Sequence, residues 1–431
     1  MHEIDNRAPA SVRENSLVFG SKMRDKEGMT RFRPYSPDQA YLLPPNTRDV
    51  LGKDHLVFFV HGIVERLDLR DFEQAYSEEG GALYAPALML KVWLYAYALG
   101  LTSARRLEQR IREDLAFRYL AGGETPDNWA LSAFRRRHGR ALNDVFTQVL
   151  EMARRLGLGR LGHVAIDSSR VKAAAARERV DQEDRLRRER ARLRRHIRRW
   201  QQACNADDPD ENAGMRVQVA EWEGRLQQIP QRLERLRKSG LRRLSRSDED
   251  ARFLRTREGW VLGYSGEIAV SQDHVIVGQR VTQQASDNDS LLPMVDEVSG
   301  RCREKPEAVS ADTGFFSLHN LHGLRERQIE GYVPDPNLSY ELKGRGRAQG
   351  IGKSKHLRDA EHRRMRQKLR SRDGKTMYKK RKSIVEPVFG VLKQQRGLRQ
   401  FRLRSLERVA IEFTLATTAY NLTRMYNTGT R

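Results

Sequence analysis

Between residues 219 and 236 the apolar side chains Val219, Trp222, Leu226, Ile229, Leu233 and Leu236 fall at steps of three, four, three, four and three. Only an α-helix gathers such a series onto one face, and a seam this narrow needs a second helix against it. The preceding stretch supplies one: Arg185 to Arg199 carries nine arginines, with Leu186, Leu193, Ile197 and Trp200 on one side. The intervening CNADDPDENAG is built of turn formers. An antiparallel helical hairpin is therefore expected, its second arm kinked at Pro230. Such an arm can be a packed structural element, a clamp on a partner, or a contact between copies of the chain.

Ahead of the hairpin, from Tyr41 to about Leu156, the pattern is helical. HLVFFVHGIVE (55–65) is one segment, and Pro86 opens ALMLKVWLYAYALGL, which Gly100 ends. Thr102-Ser103 is expected to cap a helix from Ala104 to Leu120, with Leu107, Ile111 and Leu115 inward and arginines outward. After the Gly122-Gly123 turn, Ser132 as an N-cap would expose Arg135, Arg136 and Arg137 at a helix start, as a helix-turn-helix reader does. The alternative is a small bundle with an ordinary basic surface. Residues 1–35 show no period and read as a mobile tail.

Around and beyond the hairpin short apolar runs take over. HVAID (163–167) and EAVSAD (307–312) read as strands ending on acids, EIAVSQDHVIVGQRV (267–281) as a β-hairpin, and IEGYVPD (329–335) as a further strand. Helices are expected at Leu291–Val298, at Phe316–Arg327, around Glu386 and at Leu406–Met425, with a long basic loop over 337–375. This is a mixed α/β chain with an all-helical front.

Charge names the partner class. Eighty Lys and Arg residues against 57 Asp and Glu give a formal charge of +23, a field suited to polyanion phosphates. Cys204 and Cys302 are the only cysteines and form no metal-binding pattern, so neither a disulfide scaffold nor a zinc site is expected. The N-terminus has no apolar leader, and the most apolar run, Ala85 to Leu101, contains Lys91. A cytoplasmic protein away from the membrane is expected.

Asp167 and Asp312 thus close two strands, and Glu386 sits alone in a helix otherwise studded with Lys and Arg. Acids at strand ends converge at one sheet edge, and a third on a crossing helix can complete a carboxylate cluster. Oxygen ligands of this kind suit Mg²⁺ or Mn²⁺. The plainer alternative for Glu386 is an ion pair with Arg381 or Lys382. His274 and His319 lack the partners a histidine-based nuclease needs and read as structural.

The blocks VAIDSSRVKA (164–173), GYSGEIAV (263–270), SADTGFFS (310–317) and YKKRKSIVEPVFGVLKQQRGLRQFRLRSLE (378–407) resemble DDE transposases of bacterial insertion sequences, in the IS4/IS5-like branch and closest to the IS1182 group. YSPDQAYLLPP (35–45) and residues 85–109 resemble the N-terminal domain of that group. The resemblance implies an RNase H-like catalytic core over 159–431, interrupted by the helical insert 175–255 and preceded by a helical DNA-binding domain over 36–158. It makes Asp167, Asp312 and Glu386 the catalytic, metal-binding triad, holding two Mg²⁺ or Mn²⁺ ions. The Tyr–Arg–Glu–Lys signature of the branch lands on Tyr378, Arg381 (or Lys382), Glu386 and Lys393, with DNA as their partner. Four residues separate Arg381 from Glu386 where three are usual, which leaves Lys382 as an alternative for the Arg place. Cleavage at terminal inverted repeats, strand transfer into double-stranded target DNA and a homodimer or larger assembly are implied as well.

Overall fold

The computed structural model describes residues 46–75, 84–203, 213–256, 258–342 and 359–429. The tail expected over 1–35, Cys204 and residues 343–358 of the expected basic loop lie outside them; the described flanks of that loop are helical, not looped.

Seven helices form the front: α1 (Leu56–Val64), α2 (Arg70–Glu73), α3 (Pro86–Ala98), α4 (Ala104–Glu113), α5 (Leu115–Ala121), α6 (Asn128–Arg137) and α7 (Gly139–Arg155). Pro86 starts α3 as the first helical residue, and Gly100 (φ 75°) leaves it in the left-handed region. The single helix expected over 104–120 is two. Asp114 takes an extended backbone and its carboxylate accepts from the Ala116 amide, so it ends α4 and caps α5. The break turns Leu115 outward, 42% exposed, although the apolar spacing alone puts it inside.

The chain then runs β1 (His163–Lys172), β2 (Val180–Asp181), α8 (Glu183–Ala203), α9 (Ala213–Ser239), β3 (Leu244–Ser245), β4 (Arg252–Thr256), β5 (Gly259–Ser271) and β6 (Ile276–Thr282). It continues through α10 (Leu291–Cys302), β7 (Ala308–Ala311), α11 (Leu318–Glu326), β8 (Glu330–Tyr332), α12 (Pro336–Leu342), α13 (Ala360–Arg370) and α14 (Arg372–Gly390). A π-helical turn (Val391–Gln395) and α15 (Leu406–Gly429) follow.

The main sheet has the order β4-β5-β1-β7-β8, with β6 also on β5. β5 is antiparallel to both β1 and β6, whereas β1, β7 and β8 are parallel. β4 and β6 share one edge of β5, pairing with its first and second halves. β1 is twice the length of HVAID, because the polar SSRVK continues the ladder to β5. That ladder requires glycine at 263: a Cβ there would lie 2.0 Å from the Val171 carbonyl oxygen.

α8 and α9 form the expected hairpin. Leu186, Leu193 and Ile229 are buried in its seam with Trp222, Leu226 and Leu233 packed against them. α9 is unbroken through Pro230, and the short β2–β3 pair closes the foot of the arm. β4 already belongs to the main sheet, so the helical arm itself occupies 183–239 of the insert.

α15 lies between the two parts. It packs on α3 and α7 on one side and on β6 on the other, burying Val409, Phe413, Leu415 and Leu422. Asn421 joins it to the sheet through both backbone groups of Ile276, at 2.9 and 2.8 Å. Among the described residues no helix is long and apolar enough to cross a membrane.

Candidate active site

The parallel register of β1 and β7 runs from His163 opposite Ala308 to Ile166 opposite Ala311. One step further it brings Asp167 abreast of Asp312. Asp167 lies mid-strand in β1, still paired with Ile268 of β5, rather than at a strand end as the short apolar run suggests. Asp312 leaves β7 and caps a 3₁₀ turn (Thr313–Phe315), its Oδ1 accepting from the Gly314 amide at 2.8 Å. A Cβ at 314 would lie 3.0 Å from Asp312 Oδ1 and 3.2 Å from Asp287 Oδ2. A second carboxylate therefore leans on the same spot. Asp287 is held by the Arg170 guanidinium at 3.0 Å; in the sequence it is hidden within a polar capping stretch before α10.

α14 crosses this edge. Arg381, Ile384, Val385 and Val388 recur at helical spacing, are all buried, and face the sheet. The Ile384 carbonyl meets His274 Nδ1 at 3.1 Å, which anchors the helix to the β5–β6 turn. The opposite stripe, Lys382 and Glu386, is exposed. Glu386, Lys382, Tyr378, Arg381 and Asp312 line one cleft of about 1470 Å³, with Arg370 and Lys375 on its wall.

Inside the cleft Arg381 is paired with Asp167, Nη1 donating to Oδ2 at 2.7 Å, and its guanidinium stands 6.0 Å from the Tyr378 ring. Burial pushes the Asp167 carboxyl up to about 6; Arg381 opposes the rise and the charge of Asp312 adds to it. Burial likewise raises the Tyr378 hydroxyl and lowers Lys393. Lys393 donates to the Arg170 carbonyl at 3.2 Å and sits in the π turn, whose looser winding carries it off the straight two-turn line below Glu386.

The carboxylate oxygens here match a hard divalent cation in kind. They do not close around one in this arrangement. Among the described residues no three His, Cys, Asp or Glu side chains stand close enough to hold an ion. Arg381 supplies the positive charge beside Asp167, and Asp312 commits Oδ1 to the Gly314 amide.

Residues 232–422, from the second half of α9 into α15, match the family model described as Transposase DDE domain. Over those residues the chain is similar to that transposase family. Residues 45–137 match a second model, Transposase domain (DUF772), which spans α1 to α6. No curated protein and no solved structure matches the chain.

Within the matched residues lie Asp312, Tyr378, Arg381, Lys382, Glu386 and Lys393; Asp167 precedes them, on the strand that pairs with them. Two of the expected DNA contacts are buried. Arg381 gives Nη1 to Asp167 while still lining the cleft. Arg135, in the helical front, is 3% exposed. Asp127, not Ser132, caps α6, so Arg135 falls near the helix end and turns inward. Its Nη1 donates to the Tyr97 hydroxyl at 2.9 Å and the Thr102 carbonyl at 3.1 Å, and it lies 3.8 Å over the Trp93 ring. Arg136 and Arg137 remain on the surface, Arg136 beside the exposed Trp129.

Proposed function

We propose that this chain is a transposase that binds the terminal inverted repeats of an insertion sequence, cuts DNA there and transfers the strand to target DNA. The observation that carries the reading is that Asp167 and Asp312 both follow the last pair of the β1–β7 register, Ile166 with Ala311, while Asp312 and Glu386 line one cleft among Lys and Arg. The sheet supports an RNase H-like core over 159–431: three antiparallel strands, β6-β5-β1, continue into two parallel ones, β7 and β8, through α10 and α11. The segment from Tyr378 to Lys393 supports the IS4/IS5-like branch and the IS1182 group. The helical front, 36–158, is the DNA-recognition part in this reading, and the working form on DNA is a homodimer or larger, in the cytoplasm.

Asp167, Asp312 and Glu386 are the acids we assign to catalysis, with Mg²⁺ or Mn²⁺, two ions, as the cofactor that their oxygen chemistry suits. Tyr378 and Lys382 face the cleft where a DNA strand would lie. A second reading, a DNA-binding derivative without catalysis, draws on the Arg381–Asp167 pair, which neutralises one acid of the three.

Purified protein incubated with the DNA flanking its gene, in Mg²⁺ or Mn²⁺, separates the two. Cuts at the ends of flanking inverted repeats are expected, followed by joined products. Specific binding with no metal-dependent cut would establish the derivative instead. Cleavage should also depend on pH. With its carboxyl raised to about 6, Asp167 takes up a proton as pH falls through that value and loses its anionic oxygens. Proton and cation would compete for these oxygens, so the Mg²⁺ concentration needed for half-maximal cleavage is expected to rise severalfold from pH 7 to pH 5; an unchanged requirement would count against Asp167 as a ligand.

A further inference from the structure

The arm contains more positive charge than its fold uses. On α8, Arg185, Arg188, Arg192, Arg195 and Arg199 recur at steps of three, four, three and four, and all five are exposed. Helical geometry sets them in one stripe of about 21 Å, at 1.5 Å per residue. At the foot of the stripe, Arg185, Arg188 and Arg192 line a cleft of about 490 Å³ with Arg225, Arg232 and Arg246.

The acids in and behind that cleft are largely engaged by the inner arginines. Asp181, 3% exposed, takes Arg232 at 2.7 Å and Arg246 at 3.6 Å; Glu189 takes Arg225 at 2.8 Å and Arg232 at 3.5 Å. Glu178 lies on the rim and forms no ion pair among the described residues. Neither do the five arginines of the stripe; Arg188 reaches only the Asp184 carbonyl, at 3.2 Å. Five guanidinium groups in a row repel one another, and among the described residues none of them is held in an ion pair.

A second copy of the chain is a poor occupant. The apolar seam of the hairpin is filled between α8 and α9, and two such stripes would repel. A polyanion with charges at regular intervals is a good one. Along a DNA strand phosphates advance about 3.4 Å each, so the stripe spans on the order of six. We propose that the arginine stripe of α8, with the cleft at its foot, grips the sugar-phosphate backbone of a DNA duplex. The proposal rests on the transposase reading above and assigns the arm a share of DNA binding separate from the carboxylate cleft.

The test measures affinity for a short DNA duplex against salt concentration, for the wild-type chain and for Arg185→Gln/Arg188→Gln/Arg192→Gln. These side chains point away from the seam, so the melting temperature should hold. Every phosphate that the variant no longer neutralises lowers the slope of log K against log salt by about 0.9, so a fall of roughly 2 to 3 is expected. The corresponding triple Lys variant should keep most of the slope. An unchanged slope in the Gln variant, beside a wild-type chain that binds steeply and cuts, overturns the stripe and leaves the transposase reading standing. Loss of self-association at unchanged slope also overturns it, in favour of a contact between copies. A wild-type chain that binds no DNA removes both.

Discussion

Asp167→Asn is expected to lower DNA cleavage by at least about 10²–10³-fold, the scale on which removing one charge-bearing group from a reacting centre acts. Affinity for DNA should stay within about twofold. Asn keeps the shape of the side chain and the β1 backbone pairing to β5, but it carries no anion. The two losses this causes are separable. One is chemical, since two acids remain where three are assigned. The other is structural, because Arg381, 7% exposed, loses the carboxylate that compensates its burial. A thermal melt alongside the cleavage and binding assays distinguishes them. A variant that cuts at the wild-type rate would remove Asp167 from the site, and one that neither binds nor melts cooperatively would make it a folding residue. Asp312→Asn and Glu386→Gln are expected to lose cleavage in the same way, the second without any cost to the melt, since Glu386 is exposed.

The second large effect lies far from the cleft. Arg135→Ala is expected to destabilise the fold by about 3–5 kcal/mol, the cost of breaking a buried charged network by removing one partner. Arg135 is stacked on Trp93, bonded to Tyr97 and Thr102, and its charge offsets the fully buried Glu412 of α15. Without it Glu412 keeps the amides of Arg402 and Leu403, at 2.8 and 2.9 Å, and the weaker pull of the Arg402 charge. Arg136→Ala, one residue on and exposed, should change stability by less than about 0.5 kcal/mol. Chemical denaturation of both variants checks the contrast. Equal effects would mean that the inward turn of Arg135 is not what holds this corner together.

Much of the architecture could be read from the chain because it depends on local patterns. The seam from Val219 to Leu236 is a periodicity, and the β5–β6 hairpin is an alternation around a turn at Ser271 to His274. The two acids were visible because each follows a short apolar run, although Asp167 stands in the middle of β1 and Asp312 just past β7. What escaped depends on distant partners. Asp114 breaks a helix whose apolar spacing continues unbroken across it, since one capping carboxylate outweighs a weak inward preference at Leu115. Arg135 and Arg381 read as surface charges because their partners are Tyr97, 38 residues away, and Asp167, 214 residues away. The second half of β1 is polar in sequence and is held by backbone pairing, for which side-chain pattern carries no sign.

The placement of α15 bears on how the protein is made. The helical front ends at Arg155, but the helix that α3 and α7 pack against begins at Leu406, about 250 residues later. At a ribosomal pace of roughly 5–20 residues per second, the front waits on the order of tens of seconds for its missing wall. A nascent chain therefore passes that interval with the apolar flanks of α3 and α7 uncovered, exposed to chaperones and to its own neighbours. A chain cut short before Leu406 keeps those flanks uncovered for good, and is expected to aggregate or melt without cooperativity where the whole chain does not.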